Sequence, residues 1–221
     1  MSLSTGYSSS LNQPNFQHND ADSIVLEHLN PDARAVLDFW FDKANEPFWF
    51  DENDDFDQKI RDKFSGFWKA AKQGECASWR RSEVETSTNN AITNLAGRLA
   101  EIIVIDQFSR NLCRRQACAF AQDGMALVLA QEAIKQAYFN TLPMEWRQFI
   151  SMPFMHSESA AIHERYLPYF EQLQDASTLD IEHRHKDIID KFGRYPHRND
   201  ALDRESTPEE KAFLKQPNSS F

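Results

Sequence analysis

Glycine is scarce in this sequence, with only 6 among its 221 residues. Neither a G-x-G-x-x-G nor a G-x-x-x-x-G-K-[ST] pattern occurs. Loops that cradle phosphates and tight β-hairpins both depend on glycine, because only glycine enters their backbone conformations at little cost. The sequence therefore disfavours glycine-rich nucleotide-binding loops and β folds that are rich in hairpins.

Cysteine is also rare, and the three that occur are Cys76, Cys113 and Cys118, with no C-x-x-C pair among them. This odd set indicates neither a disulfide framework nor a thiolate zinc site. We therefore expect reduced thiols and a cytoplasmic location. No metal ion and no other cofactor is predicted.

Long apolar runs are missing as well, since all fall short of the ~18 residues expected of a membrane-spanning helix. We expect a soluble protein without a membrane partner. Residues 1–23 are rich in serine, asparagine and glutamine and lack the basic and apolar regions of a secretory signal. They are predicted to form a disordered tail.

Acidic residues outnumber basic ones, which gives a net charge of -10 and an isoelectric point of about 5.2. The average electrostatic field of such a protein repels nucleic acid, so no nucleic-acid partner is predicted. Any anion-binding role requires local clustering of basic side chains. The 17 Phe and 5 Trp residues indicate a dense core.

Helix start and stop signals recur from residue 30 to residue 215, and no strand alternation competes with them. Asn30 is placed as an N-cap before Pro31, and Gly193 is placed to end a helix. We predict an all-α bundle of antiparallel helical hairpins with eight or nine helices. These helices form one domain over residues 24–216, followed by a flexible C-terminus, 217–221.

Two of the predicted helices have uncertain ends. One runs from Ala117 or Gln122 to Tyr138. The other begins at Ser157 and contains Pro168, which removes a backbone donor and clashes with the preceding turn. A kink or break near Leu167 is therefore expected.

The first polar motif ends the long helix that begins at Asn89. Helical periodicity places Asp106 and Arg110 on its apolar stripe, so both charges point toward the core. A buried carboxylate requires a partner, which is either Arg110 one turn on or an arginine from elsewhere. Asp106 is then either a structural strut or a group that orients an arginine toward a ligand. Gln107 and Asn111 add amide groups nearby.

The second polar motif is Pro153-Phe154-Met155-His156-Ser157-Glu158. Ser157 and Glu158 have a structural explanation as residues at a helix N-terminus. His156 has no such explanation and is a candidate for acid/base work. His156 and His163 are seven residues apart, but no recognised metal-binding spacing is present and no metal site is predicted.

The third polar motif is the connection between Phe192 and Thr207, which carries Arg194, His197, Arg198, Asn199 and Arg204. Arginine suits bidentate contact with carboxylate or phosphate, and histidine transfers protons near neutral pH. The structural alternative is a network of these arginines with Asp200, Asp203 and Glu205 in the same stretch.

These three motifs resemble, in order and spacing, the domain-of-unknown-function 924 family over roughly residues 35–215. Phe39-Trp40-Phe41, Trp49-Phe50 and Phe120-x-x-Asp123 contribute to the resemblance. It implies a tetratricopeptide-like helical fold and a bacterial cytosolic setting, but no reaction. The positions that match the family's polar signature are Asp106, Gln107, Arg110, Asn111, Asp123, Arg147, His156, Ser157, Glu158, Arg194, His197, Arg198, Asn199 and Arg204. Ser109, Tyr195 and Asp203 depart from the family pattern.

The leading hypothesis is a pocket for a small carboxylate- or phosphate-bearing anion. Its predicted ligand-binding residues are Asp106, Gln107, Arg110, Asn111, Arg147, Arg194, Arg198, Asn199 and Arg204, and its candidate catalytic residues are His156, Glu158 and His197. One alternative is a tetratricopeptide-like module that binds a protein partner in a helical groove. Another is a hydrolase that uses the histidines and Glu158, and an entirely structural polar network also stays open.

Overall fold

The computed structural model of this chain describes residues 26, 28–80, 88–217 and 219–220, with the backbone alone for 88–90. The predicted tail, 1–23, lies outside these residues, as does part of the predicted flexible C-terminus. The described part contains nine α-helices and no β-strand. The all-α prediction is confirmed, whereas the tetratricopeptide-like arrangement stays a prediction.

The helices follow one another with short connections. Their bounds are α1 Pro31–Trp40, α2 Asp54–Ala71, α3 Thr88–Ile102, α4 Phe108–Leu112, α5 Asp123–Ala133, α6 Met144–Met155, α7 Ala160–Glu171, α8 Ala176–Phe192 and α9 Pro208–Phe213. Short 3-10 turns span Glu46–Phe48, Glu75–Arg80, Ala117–Ala119, Phe139–Thr141 and Pro196–Arg198. No helix in the described part is both long and apolar enough to cross a membrane.

Side chains at the helix ends explain where several helices begin and stop. The Asn30 side chain accepts hydrogen bonds from the first-turn amides of α1, and Asn53 does the same for α2. Thr207 and Glu210 form a reciprocal capping box at α9. Gly193 ends α8 in the left-handed conformation, with φ 68°. The predicted caps at Asn30, Gly193 and Thr207 are therefore confirmed.

Helix α3 lies at the centre of the fold and packs against α1, α5 and α6. A π-helical turn, Ile103–Gln107, joins it directly to α4. Residues 99–106 have no exposed surface. This central position of α3 and the π turn explains why a polar side chain near its end lies in the interior.

Two helix predictions need correction. Helix α7 runs through Pro168 to Glu171, so the predicted break at Leu167 does not occur, and the predicted alternative, a kink, stays a prediction. Buried Tyr166 and Phe170 hold this part of the helix against the core. Helix α5 ends at Ala133 rather than Tyr138, whose left-handed backbone with φ 70° is incompatible with a continuing helix.

The expectation of reduced thiols was also wrong for two of the three cysteines. Cys113 and Cys118 form a disulfide across the turn that follows α4, with their Cα atoms 5.7 Å apart. The two cysteines are separated by four residues in the sequence, and this spacing is not a recognised disulfide or metal-binding pattern. Cys76 is free and buried, and burial raises the pKa of its thiol to about 12.

One close approach depends on the absence of a side chain. A Cβ atom added to Gly97 in α3 would lie 1.7 Å from the backbone oxygen of Trp79. The Glu75–Arg80 turn therefore packs directly on the backbone of α3, which only glycine allows at this position.

We expect Gly97→Ala to lower the free energy of unfolding by about 3 kcal/mol or more, because the neighbour is rigid backbone and must move. Urea unfolding measures this change. Gly66→Ala is the matched control, since Gly66 lies in α2 with nothing within 4 Å of its added Cβ. The control should raise stability by about 0.5–1 kcal/mol through helix propensity. If both substitutions change the free energy of unfolding equally, the Glu75–Arg80 turn does not pack against the backbone at Gly97.

Candidate functional site

The carboxylate of Asp106 is the centre of the first polar cluster. Asp106 lies in the π turn and has no exposed surface. Its Oδ1 accepts a hydrogen bond from Nδ1 of His156 at 2.8 Å and lies 3.0 Å from Nη1 of Arg110, while Nε2 of Gln107 donates to Oδ2 at 2.6 Å. Pairing with Arg110, one of the two predicted alternatives, is the one that occurs. π turns are often found at functional sites.

The protonation states of this pair follow from its surroundings. Burial disfavours the charged form of Asp106, but Arg110, His156 and Gln107 outweigh it and hold the pKa of this carboxyl below its usual range. Burial and the nearby Arg110 lower the pKa of His156, although Asp106 opposes them. At neutral pH the pair is therefore an aspartate and a neutral histidine.

The tautomer of His156 is set by the same contact. Because Asp106 accepts its hydrogen bond, Nδ1 of His156 carries the proton and Nε2 carries a lone pair. Nε2 has no hydrogen-bond partner in the part of the chain that the structure describes. The His156 side chain is 13% exposed, so the site is open to solvent at this edge.

Two arginines from distant segments share one carboxylate, that of Asp123 at the start of α5. Nη2 of Arg110 lies 3.2 and 3.3 Å from the two carboxylate oxygens, and Nη1 of Arg198 donates to Oδ2 at 3.0 Å. The guanidinium carbon of Arg198 lies 4.6 Å from the ring centre of Phe120 and 4.5 Å from that of Tyr195. Asp123 and the two aromatic faces therefore hold the two cations together.

Arg198 is the less well compensated of the two cations. Its side chain is 6% exposed, against 22% for Arg110. Its Nε is buried and finds no hydrogen-bond partner among the described residues. Burial lowers the pKa of Arg198 despite Asp123, whereas Asp106 and Asp123 outweigh burial and raise the pKa of Arg110.

The second polar cluster is built around Glu158. Its two oxygens accept hydrogen bonds from Nη1 and Nη2 of Arg204 at 2.7 and 2.9 Å, and the backbone amide of Tyr195 donates to Oε1 at 2.7 Å. Burial would raise the pKa of Glu158, but these donors outweigh it and lower the pKa. Asn199 Oδ1 accepts from Nε of Arg204 at 3.0 Å. Both oxygens of Glu158 are thus engaged in holding the loop.

Arg194 and Glu210 form a bidentate ion pair between the loop and α9. Nε and Nη2 of Arg194 donate to the two oxygens of Glu210 at 2.7 and 2.8 Å. The amide of Thr207 and the side chain of Asn199 also donate to Glu210. The hydrogen bonds from Arg194 are the largest cause that lowers the pKa of Glu210, to about 2.

Tyr195 connects the two clusters. It is fully buried, and its hydroxyl lies 3.1 Å from Nε2 of His163, whose Nδ1 lies 2.7 Å from Oε1 of Glu182. On the other side, the Tyr195 ring stacks on His197 with ring centres 5.5 Å apart. Burial and the nearby Arg198 lower the pKa of His197 to about 4. Both candidate catalytic histidines are therefore neutral at pH 7, and the positive charge of the site comes from arginine.

The structure brings most of the predicted site residues together. The Asp106 cluster contains Gln107, Arg110, His156 and Arg198, the Glu158 cluster contains Asn199 and Arg204, and Arg194 and His197 adjoin them through Glu210 and Tyr195. Two predicted residues have other neighbours. Asn111 donates to Asp57 at 2.8 Å, and Arg147 donates to the backbone oxygens of Leu142 and Gln172.

The acidic partners of the loop arginines are not those expected. The structural alternative named Asp200, Asp203 and Glu205 as partners, but the carboxylates come from Asp123, Glu158 and Glu210, which lie outside that stretch. Glu205 contacts Arg194 only through its backbone oxygen. Two of these carboxylates had some sequence signal. Asp123 matches a position of the family's polar signature, and Glu210 belongs to the predicted capping box with Thr207.

Two cavities lie away from these clusters. An open groove of about 600 Å³ lies between α1 and α2, and a second cavity of about 320 Å³ adjoins Asp57, Asn111 and Arg114. Among the described residues, no group of three or more His, Cys, Asp or Glu side chains is arranged to hold a metal ion.

The fold and site define an all-helical protein whose helix ends and C-terminal loop meet in buried clusters of arginine, histidine and carboxylate. Residues 36–218 match the family described as bacterial protein of unknown function (DUF924), and the chain belongs to this family. A solved structure of a protein of unknown function from Agrobacterium tumefaciens is 33% identical, with a TM-score of 0.72. The match covers 83% of this chain and 96% of that one. No curated protein matches the chain.

We expect Glu210→Gln to lower the free energy of unfolding by about 2 kcal/mol at pH 7, because Arg194 loses its carboxylate partner. The pKa of Glu210 lies below its ordinary value of 4.5, at about 2. Its contribution is therefore present above about pH 4.5 and is lost as the pH falls toward 2. Urea unfolding of both proteins from pH 2.5 to 7 should show the difference narrowing over this window.

The matched control for this experiment is Glu209→Gln, since Glu209 is the exposed neighbour of Glu210. Its effect on the unfolding free energy should stay below about 0.5 kcal/mol. If the unfolding free energies of Glu210→Gln and wild type differ by the same amount from pH 7 to pH 3, the ionised Glu210 carboxylate does not stabilise the fold through Arg194.

Proposed function

We propose that the protein binds a small carboxylate-, phosphate- or sulfate-like anion beside Arg198 and Arg110, at the edge where His156 is partly exposed. The observation that carries the proposal is the unpartnered Nε of Arg198 on a deeply buried guanidinium. A buried charged donor without an acceptor costs free energy, so such a group is a natural binding position for an anion.

Arginine chemistry supports this choice of ligand. A guanidinium binds carboxylate, phosphate and sulfate oxygens through paired N–H donors, and two guanidiniums already converge on the carboxylate of Asp123. An anion beside Arg198 would be the second acceptor for a cation that Asp123 compensates only in part. Desolvation strengthens such contacts, because the effective dielectric constant near the cluster is below that of water.

The remaining residues have positioning roles in this proposal. Asp106 fixes Arg110 and His156, and Glu158 fixes Arg204 and the backbone at Tyr195. Asn199 and Arg194 hold the loop against α9. Asn111 and Arg147 are left outside the site because their contacts lie elsewhere.

The second candidate function is an interaction module, which one observation favours. The open groove between α1 and α2 has a phenylalanine surface and charged residues of both signs. Its lining includes Phe39, Phe64, Phe67, Asp38, Lys59 and Lys63. A peptide that carries apolar and charged side chains fits such a groove. Binding of this kind would depend on Lys59 and Lys63 and would be unaffected by changes at Arg198.

The hydrolase hypothesis also stays a prediction. Glu158 is engaged by Arg204 and its pKa is lowered, which makes it a poor proton donor at neutral pH. His156 is better suited to proton transfer, since its Nδ1 is oriented by Asp106 and its Nε2 carries a lone pair.

The test of anion binding is a thermal-shift series with sulfate, phosphate and acetate against chloride at constant ionic strength. Wild type should gain thermal stability from at least one of the three anions, because a ligand at 100 times its Kd adds about 2.7 kcal/mol. Arg198→Lys keeps the charge but loses Nε and the paired donors, and it should weaken the affinity about tenfold or more.

Arg115→Lys is the matched control, since Arg115 forms an exposed ion pair with Glu52 and its side chain is 83% exposed. It should respond to each anion as wild type does. The proposal fails if wild type gains nothing beyond the chloride series. It also fails if Arg198→Lys responds as strongly as wild type, which is the signature of a general salt effect.

A further inference from the structure

The charges of the two clusters cancel in pairs. Four arginines face four carboxylates, and the pairs are made by Arg110, Arg194, Arg198 and Arg204 with Asp106, Asp123, Glu158 and Glu210. The two histidines at the site are neutral at pH 7. An anion that enters beside Arg198 therefore adds uncompensated negative charge to a partly buried, neutral cluster, which is electrostatically costly.

We propose that His156 supplies the missing positive charge, by taking up a proton on Nε2 when the anion binds. This inference rests on the proposed function and adds to it a proton-linked mode of binding. The geometry favours His156, because Asp106 already accepts from Nδ1 at 2.8 Å and would stabilise the imidazolium. Nε2 is the ring atom that then donates to the anion.

Other titratable and charged groups face His156 from the surrounding elements. Asp106 and Arg110 act on it electrostatically from the π turn and α4, Asp123 from α5, His185 from α8, and His197 from the Pro196–Arg198 turn. Arg198 is connected to this group through Asp123, which Arg110 also contacts. His163 on α7 is paired with Glu182. Burial holds the pKa of His185 well below its usual value and lowers that of His197 to about 4, so neither competes with His156 near neutral pH.

The direction of the pH effect follows from linkage. His156 is neutral in the free protein at pH 7 because its pKa is lowered, and a bound anion raises that pKa. Affinity for the anion should therefore rise as the pH falls through the bound-state pKa and level off below the free-state pKa. Within that window the increase approaches about tenfold per pH unit for one proton.

Sulfate is the probe for this test, because it does not titrate between pH 5 and 8. Isothermal calorimetry of the full chain at several pH values, each in two buffers of different ionisation enthalpy, gives the number of protons taken up per sulfate. We expect wild type to take up a fraction of a proton that reaches at least one half within this range. His156→Gln should abolish both the uptake and the pH dependence of the affinity.

Two further variants assign the proton. His183→Gln is the matched control, since His183 lies exposed on α8 and should leave sulfate affinity and proton uptake unchanged. Proton uptake should persist in His197→Gln. Long-range ¹H–¹⁵N spectra of the wild-type histidine rings give a measurement that needs no substitution, and sulfate should move the His156 nitrogens toward the imidazolium pattern.

The outcomes separate the two proposals. If sulfate binds without proton uptake, His156 does not have the proposed role, but anion binding stands. The same holds if proton uptake is lost in His197→Gln and kept in His156→Gln. An absence of sulfate binding to wild type at every pH from 5 to 8 overturns this inference, and it rejects the anion site together with it if phosphate and acetate also fail to bind.

Discussion

A carboxylate without any exposed surface organises the polar interior of this protein. Asp106 is tolerated there because Arg110, His156 and Gln107 surround it with donors, and each of these donors is thereby fixed in position. Arg110 in turn contacts Asp123, which holds Arg198 of the C-terminal loop. The loop is therefore anchored to the central helix through a continuous chain of charges rather than through apolar packing alone.

Much of the fold was predictable because its signals are local. The caps at Asn30 and Thr207 and the helix stop at Gly193 are each specified by a few neighbouring residues, and all three occur as expected. The inward position of Asp106 was also predictable from helical periodicity. The end of α5 was not, because the left-handed backbone at Tyr138 is unusual for a residue with a large side chain.

The partners in the site were less predictable, since they depend on how helices pack. Nothing near Arg198 in the sequence indicates that its acid is Asp123. The acidic residues in the same stretch as the loop arginines, Asp200 and Asp203, are not their partners. Asn111 illustrates a further limit. Asn111 comes five residues after Asp106, whereas residues three or four apart share a helix face, and its side chain donates to Asp57 instead.

The paired charges of the buried clusters are synthesised at different times. Asp123 and Glu158 leave the ribosome before Arg198 and Arg204, because translation runs from the N-terminus. Until those arginines arrive, a nascent chain holds more negative charge in this region than the finished protein, and Tyr195 has not yet filled its place between the helices. The buried clusters are therefore completed only after the segment that carries Tyr195, Arg198 and Arg204 has been made.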